Sequence, residues 1–188
     1  MRRTAAGSLL PGERALPAEI AALPEDSRRL LGTIAILAGE FRSADIFVQQ
    51  CLEAVCDFTG WPLGHAILRD RVTGAYHSTG AWFVEPVEAY PIFRSLSRDL
   101  LVLPDEGIVA AAAGDSPHVL DRPDASLEQW RGTDELKGHI GVFVPLTTGS
   151  DPAGVLEFYY PGSSAPDAGL MRALGMIGAR IGQVIERE

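Results

Sequence analysis

Apolar residues recur at helical spacing in the first part of the chain. After Pro24 they fall at steps of four and three, and two acidic residues at the start match the positive end of a helix dipole. A second stretch with the same spacing begins behind Ser43 or Asp45, either of which can cap a helix, and stops at Gly60. The predicted core positions of these two helices are Leu30, Ile34, Leu37 and Phe41, then Phe47, Cys51, Val55 and Phe58.

The spacing then becomes that of strands. Residues 64–70 and 75–84 are joined by a turn, and residues 142–146 and 155–160 are joined by a turn rich in glycine, proline and aspartate. Each pair predicts a β-hairpin. The middle of the chain predicts a short helix and loop at 85–103, an alanine-rich helix at 107–117, a brief strand at 118–123, and a loop and helix at 124–138. Antiparallel strand pairs with helices to either side predict an α+β fold.

The terminal helix, after Pro166, carries the most regular pattern. Its apolar positions alternate steps of four and three, as in a helix that packs along another helix: Leu170, Leu174, Ile177, Ile181 and Val184. Gly175, Gly178 and Gly182 each cost a helix about 1 kcal/mol relative to alanine, which indicates close approach of another backbone. Two interpretations stay open: an amphipathic helix packed on its own sheet, and a seam against a partner helix.

Composition narrows the class of protein. The chain has 188 residues, of which 46% are hydrophobic and 22% charged, values that suit one globular domain. The net charge of −9 argues against a nucleic-acid surface. Neither a signal peptide nor a membrane-spanning run is recognisable, so we expect a cytoplasmic location without a membrane partner. Residues 1–24, rich in proline and glycine, are expected to be a flexible lead to a single domain at 25–188.

The two cysteines, Cys51 and Cys56, lie five residues apart in a predicted helix. That spacing separates them by about 140° around the helix axis, so they cannot readily pair. It matches neither a redox pair nor a zinc site. We expect buried, reduced thiols that behave as small hydrophobes.

Four stretches resemble the GAF domain, a sensory module of bacterial histidine kinases, diguanylate cyclases, phosphodiesterases and phytochromes. They are CLEAVCDFTGWPLGHAILRD, the Trp82 that ends the next strand, LPDEGIVAAAAGDSPHVLD, and GVFVPLTTGSDPAGVLEFYYP with the IGARIGQVIER that follows. The resemblance covers about Asp45 to Arg187. It implies a GAF-like (profilin-like) central antiparallel sheet of five or six strands, with terminal helices on one face and pocket loops on the other. The form it resembles precedes histidine kinase or diguanylate cyclase output domains.

The chain departs from that family in ways that bear on chemistry. The family's Gly-Leu-x-Gly turn appears as Gly107, Ile108, Val109 and Ala110. The residue set of cyclic-nucleotide binders cannot be placed, and the cysteines lie in a helix on the side opposite the pocket. Bilin attachment is therefore not expected, and the pocket-loop cysteines of free methionine sulfoxide reductases are missing. The sequence assigns no cofactor.

Several side chains suit a ligand pocket in the half of the domain that holds it in the resembled family. Aromatic rings would give apolar walls, one arginine could hold an anion, and two histidines have the commonest ligating side chain. The alternatives are core packing for the aromatics, a solvated surface for the arginine and structural hydrogen bonds for the histidines. The candidate ligand-binding residues are Trp82, Phe93, His118, Trp130, Arg131, His139 and Phe143.

The remaining chemistry-bearing residues predict little. His65 is interpreted as an edge or core residue of a strand. No Ser-His-Asp order, paired carboxylates or phosphate-binding glycine loop is recognisable, so the sequence predicts no catalytic residues. No His, Cys or Asp pair has metal-ligand spacing on one helix, so it predicts no metal site.

These observations predict a regulatory or sensory domain, not itself an enzyme. It would bind a small molecule, or relay a signal through its terminal helices, to a downstream output domain such as a histidine kinase. We also expect a homodimer contact formed by Leu30, Ile34 and Leu37 of the first helix and Leu174, Ile177 and Ile181 of the last. Two alternatives stay open: a ligand-free dimerisation module, and a thiol enzyme of the free methionine sulfoxide reductase type that uses Cys51 or Cys56.

Overall fold

The structure, a computed structural model, describes residues 17–40, 43–99, 101–102, 114, 116–120, 134–147 and 152–187. Its helices are α1 (Ala18–Ala21), α2 (Glu25–Glu40), α3 (Ala44–Thr59), α4 (Pro91–Arg98) and α5 (Ala168–Glu186), with a short 3-10 helix at Asp134–Leu136. Its strands are β1 (Leu63–Arg69), β2 (Tyr76–Val84), β3 (Leu101–Val102), β4 (His118–Leu120), β5 (His139–Thr147) and β6 (Pro152–Pro161).

The strands form one sheet in the order β3-β2-β1-β6-β5-β4, and every neighbouring pair is antiparallel. The two predicted hairpins are β1–β2 and β5–β6. The central strands β1 and β6 pair through six residues each, from Leu63 opposite Tyr159 to Leu68 opposite Gly154. The structure confirms the predicted α+β fold. A GAF-like antiparallel sheet is covered by helices on one face and is also covered on its other face.

Helices α3 and α5 lie against the first face of the sheet and α2 packs on these two helices, and together with the sheet they form the larger part of the core. Ser43 caps α3 by accepting a hydrogen bond from the Ile46 N–H, and Gly60 ends that helix in the left-handed conformation. The buried stripe of α3 includes Val48, Leu52 and Cys56 and continues toward Thr59. The prediction that Phe58 belongs to the core was therefore wrong, and that side chain is 40% exposed.

The apolar seams of α2 and α5 face this same core. Five of the six residues predicted to form a homodimer contact are at most 3% exposed within one chain: Leu30, Ile34, Leu174, Ile177 and Ile181. The sixth, Leu37, packs against the same cluster from its edge. These side chains cannot form an outer seam while the chain is folded. Of the two interpretations of the α5 pattern, the structure matches the amphipathic helix packed on its own sheet.

The glycines of α5 allow this close packing. A Cβ atom at Gly178 would overlap the carbonyl oxygen of Pro145 in β5 and lie 2.8 Å from Cγ1 of Val144. A Cβ at Gly169 would lie 2.6 Å from the ring of Pro24, just before α2. The backbone that approaches α5 therefore belongs to the same chain.

Several predicted features lie outside the described residues. They include most of the alanine-rich helix at 107–117 with its Gly107–Ala110 turn, the first part of the 124–138 segment, and Phe41. Trp130 and Arg131, two of the candidate ligand-binding residues, are also outside them.

Candidate functional site

The second face of the sheet, away from α2, α3 and α5, holds a separate cluster of buried side chains. Because neighbouring strand residues point to opposite faces, alternate positions of β1, β5 and β6 reach it. Helix α4 contributes Phe93, and the 3-10 helix contributes Leu136. The buried members are Leu63, Ile67, Tyr76, Phe93, Leu136, Phe143, Val155 and Tyr159.

A polar group lies on this apolar face. His65 in β1 and Glu157 in β6 are register partners, and both are fully buried. His65 Nδ1 lies 2.5 Å from Glu157 Oε1, and the hydroxyl of Tyr159 donates to Glu157 Oε2 at 3.0 Å. His65 Nε2 lies 2.8 Å from Ser78 Oγ in β2. Two ionisable groups removed from water are costly unless they pair, so this arrangement explains how the sheet can hold them.

Trp82 fixes the imidazole from one side. Its ring stacks on the His65 ring with centroids 3.7 Å apart and planes inclined by 19°. The Trp82 backbone is held by Gln49 of α3, whose side chain accepts from the Trp82 N–H at 3.0 Å and donates to its carbonyl at 2.8 Å. A helix on the first face therefore positions a ring on the second.

Phe93 joins the aromatic groups of the cluster. Its ring meets Trp82 edge to face at 6.0 Å and Tyr159 at 5.2 Å, and Tyr159 meets Phe143 at 5.9 Å. These are the separations and angles at which aromatic pairs attract. The rings enclose the His65–Glu157 pair in an apolar wall.

Two contacts fasten α4 over this face. The carboxylate of Glu135 accepts from the N–H groups of Ile92 and Phe93 at the start of α4, at 3.2 and 2.8 Å. Tyr90, in the left-handed conformation with φ of 57°, places its hydroxyl 3.0 Å from His139 Nε2. Burial lowers the pKa of His139, although the carbonyls of Lys137 and Leu136 oppose the shift. A neutral His139 ring can accept the Tyr90 hydrogen bond, so these contacts hold α4 against the second face.

The seven candidate ligand-binding residues are distributed unevenly. Trp82, Phe93 and Phe143 come together on the second face. His139 lies at its border, against Tyr90. His118 sits on the edge strand β4 opposite Phe143, and its side chain is exposed.

Sequence reasoning missed the polar members of the site: His65, Ser78, Glu157 and Tyr159. His65 was interpreted as an edge or core residue, and its burial agrees with the latter, but its partner is 92 residues away in sequence. A signal was present, since Glu157 is the one charged residue in the apolar run GVLEFYY. A buried carboxylate in a central strand requires a partner on a neighbouring strand.

The described segments also bear on metal binding, membrane crossing and surface grooves. No group of three or more His, Cys, Asp or Glu residues in the described segments could hold a metal ion. Among the described helices, none is both long and apolar enough to cross a membrane. Grooves of 330 Å³ and 420 Å³ lie among the helices of the first face, the larger between α2 and α3 beside Phe58.

Both cysteines are free and buried in α3, on the first face. Burial raises the pKa of Cys51 to about 12, and burial together with the nearby Asp57 raises the pKa of Cys56. The thiolate is the reactive form, so we expect iodoacetamide at pH 8 to alkylate the native protein on the order of 10³ times more slowly than a free thiol. Urea-unfolded protein, the control, should take up reagent at both cysteines. Rapid alkylation of the native chain would contradict this assignment.

Comparison with known proteins agrees with this architecture. A model of the GAF domain matches residues 42–186. The fold is similar to the GAF domain of an Acinetobacter phosphoenolpyruvate-protein phosphotransferase, with a TM-score of 0.65 and 16% identity over 87% of this chain and 92% of that one. It is also similar to the free methionine-R-sulfoxide reductase of Neisseria meningitidis, with a TM-score of 0.65 and 15% identity over 93% and 94%.

A third solved structure of similar fold is the phycoerythrobilin-bound GAF domain of a cyanobacterial phytochrome. Its TM-score is 0.64, with 11% identity over 86% of this chain and 95% of that one. At identities this low, the structural similarity shows a common fold alone. No curated protein sequence matches the chain.

The family match spans most of the chain and coincides with the sheet and helices described above, so the chain belongs to the GAF domain family.

Proposed function

We propose that this chain is a regulatory or sensory domain that binds a small molecule on the second face of the sheet. The observation that carries the proposal is the fully buried His65–Glu157 pair, joined to Ser78, Tyr159 and Trp82 within an apolar wall. Buried ion pairs contribute little net stability compared with well-packed apolar residues. Ionisable groups kept in such surroundings are frequent at functional sites, and a few polar groups among aromatic rings are typical of ligand pockets.

The strands offer a short path from this face to α5. In β5, Phe143 faces the site while its neighbour Val144 faces Gly178 of α5. In β6, Glu157 lies on the site face between Leu156 and Phe158, which pack in the helical core. A ligand that shifts β5 or β6 would therefore change the packing under α5 and favour one arrangement of that helix.

A second connection involves the β1–β2 turn. Asp70 orders this turn by accepting from the N–H groups of Val72 and Thr73, and the Arg71 guanidinium donates to the carbonyl of Ile185 near the end of α5. Movement of β1 would therefore be transmitted to the C-terminal end of α5. We propose that α5 conveys this change to a downstream output domain such as a histidine kinase, in keeping with the resemblance of the α5 sequence to helices that precede such domains.

Two neighbouring tyrosines offer a matched test of the binding site. Tyr159 donates to Glu157 on the second face, whereas Tyr160 stacks on Trp61 on the first face. We would add a panel of small metabolites and record thermal stability and tryptophan fluorescence, and assign the Trp82 fluorescence by difference from Trp82→Phe. At least one compound should raise Tm and alter the fluorescence. Tyr159→Phe should weaken that response and Tyr160→Phe should retain it, whereas a response lost only in Tyr160→Phe would place the ligand elsewhere.

The homodimer through the terminal helices is also proposed, with a different contact from the buried seam. The outer side of α2 exposes Ile36 to 64% beside Gly32 and Gly39, where an added Cβ would meet no atom of the described residues within 4 Å apart from the neighbouring backbone of α2. Glycines inside a helix cost about 1 kcal/mol each and favour close approach of another helix. The occupant we propose is α2 of a second copy.

Light scattering tests this contact. We expect a wild-type dimer at tens of micromolar and a monomer for Ile36→Glu, because the change puts a charge between the two helices. Val87→Glu, at another apolar position that is 70% exposed, should leave the dimer intact. A monomeric wild type, or a dimer that survives Ile36→Glu, would contradict the contact.

Two other functions fit these contacts less well. A ligand-free interaction module would need the dimer contact alone and gives no role to the buried polar group on the second face. A thiol enzyme of the free methionine sulfoxide reductase type would need accessible thiolates. The burial of Cys51 and Cys56 on the first face disfavours it.

A further inference from the structure

The hydrogen bonds around His65 form a chain that ends at a serine. Glu157 Oε1 lies 2.5 Å from His65 Nδ1, and His65 Nε2 lies 2.8 Å from Ser78 Oγ. His65 and Glu157 are fully buried, whereas Ser78 is partly exposed. We propose that Ser78 is a nucleophile that is acylated by small carboxylic esters or thioesters. His65 would be its general base, and Glu157 the residue that positions His65.

The geometry meets the requirements for an activated serine. A nucleophile needs a base within hydrogen-bond reach, and that base must be oriented by a third group. With Glu157 as a carboxylate, the proton of a neutral imidazole resides on Nδ1, which leaves the Nε2 lone pair facing the Ser78 hydroxyl. Tyr159 holds the other carboxylate oxygen and Trp82 holds the ring plane. The order along the chain is His, Ser, Glu, so the constellation is visible only in three dimensions.

An irregularity in the sheet directs Ser78 toward His65. The β1–β2 register shifts between His65 and Ile67, so that Trp82 pairs with His65 and Ser78 with Ile67. The Thr79 hydroxyl donates to the Ala66 carbonyl inside this bulge, and Gly80 has a φ of 79°. Bulges occur beside active sites, where they redirect a side chain.

The β2 edge beside Ser78 and one nearby backbone donor bear on the approach of a reacting group. In the described part of the chain, β3 pairs only with Tyr76 and His77, so this strand does not cover the β2 edge beside Ser78. The Gly80 N–H donates to Ser78 Oγ at 3.4 Å. This donor is bound to the attacking oxygen, so it lies beside the place where an oxyanion would form, and stabilisation of that oxyanion is part of the proposal.

The proposed reaction is acyl transfer. Ser78 Oγ forms a bond to the ester carbonyl carbon while its proton moves to His65 Nε2. The bond to the leaving alcohol or thiol then breaks, and the leaving group takes that proton, which gives acyl-Ser78. Water attacks the acyl group next, gives a proton to His65, and releases the carboxylic acid as that proton returns to Ser78. This chemistry goes beyond the reversible binding proposed above, and acyl-Ser78 would itself alter the site.

The full chain can be tested with two serine-directed probes, 4-nitrophenyl acetate and phenylmethanesulfonyl fluoride. The sulfonyl fluoride forms a serine O–S bond as fluoride leaves. We expect one adduct per chain, mapped by mass spectrometry to Ser78, and a burst of nitrophenolate of equal stoichiometry. Ser78→Ala should abolish both signals. Ser95→Ala, which removes an exposed serine of α4, should change neither.

Further variants separate the roles. His65→Gln should slow sulfonylation by about 10²–10⁴-fold, the usual contribution of a general base. Glu157→Gln should alter the pH profile of the rate, an effect that loss of structure alone would not produce. Melting curves establish which variants are folded.

Ser78→Cys keeps the test decisive if His65→Gln fails to fold. A thiol beside His65 should react with iodoacetamide at pH 7 at least about ten times faster than the exposed thiol of Ser95→Cys, because a neighbouring imidazolium favours the thiolate. A wild-type chain that takes no adduct at Ser78, labelling that survives Ser78→Ala, or a Ser78→Cys thiol no faster than the control would overturn the proposal. None of these results would affect the reversible-binding test, whose readouts are Tm and Trp82 fluorescence.

Discussion

Replacement of His65 by alanine is expected to lower the free energy of unfolding by about 3–5 kcal/mol. Glu157 would remain fully buried without the imidazole that lies 2.5 Å from it, and removal of one partner from a buried pair leaves an uncompensated charge. Urea unfolding followed by circular dichroism, at a fixed protein concentration, measures this loss.

Two further variants identify the cause. The double variant His65→Leu/Glu157→Met replaces both partners with apolar side chains and should recover at least about half of the loss. His77→Ala, which removes an exposed histidine of β2, should change the free energy of unfolding by no more than about 0.5 kcal/mol. If the double variant is less stable than His65→Ala, an unpaired Glu157 is not the cause of the loss.

The second large effect is expected at the contact between α5 and β5. Gly178→Ala should lower the free energy of unfolding by about 1–3 kcal/mol, although alanine is the better helix former, because the new methyl group meets the Pro145 carbonyl and Val144. A backbone carbonyl cannot rotate aside as a flexible side chain can. The helix must therefore move away from the sheet or strain the strand. Calorimetry or urea unfolding detects the loss.

Gly175 provides the matched control on the same helix. A Cβ atom there would lie 3.2 Å from Cδ of Pro117, a contact with a side-chain ring that a small shift can relieve. Gly175→Ala should therefore be neutral within about 1 kcal/mol, since helix propensity and mild crowding oppose each other. Equal losses at both positions would show that the close approach of β5 is not what requires Gly178.

Local sequence patterns predicted the elements of this fold well because the patterns depend on neighbouring residues. The two hairpins followed from alternation and turn residues, and Ser43 and Gly60 marked the ends of α3 as expected. The helices were placed by the spacing of apolar residues together with residues that start and stop a helix. It was harder to predict which side of a helix faces the core, since the same four-three spacing occurs in a helix packed on a sheet and in a helix packed on a partner helix. Ile177 was therefore assigned to a dimer, although it lies in the chain's own core.

The candidate site was less accessible to sequence reasoning. Trp82, Phe93 and Phe143 were chosen as aromatic residues in the pocket half, and the structure brings them together. The His65–Glu157 pair depends on the register between β1 and β6, which are 92 residues apart at this point. Nothing local fixes that register. The placement of Ser78 depends in addition on a bulge in the β1–β2 pairing. The sequence of one strand, taken without its partner strand, gives no sign of that bulge.

The central claim is that a group on the second face of the sheet is coupled to α5 on the first. Isoleucine-methyl NMR of the wild type and Glu157→Gln tests it most directly, because Ile67 lies on the second face and Ile177 and Ile181 lie on α5. The account predicts shifts at Ile67 and at both α5 methyl groups, while the exposed Ile36 stays unchanged. Shifts confined to Ile67, with α5 unchanged, would contradict it.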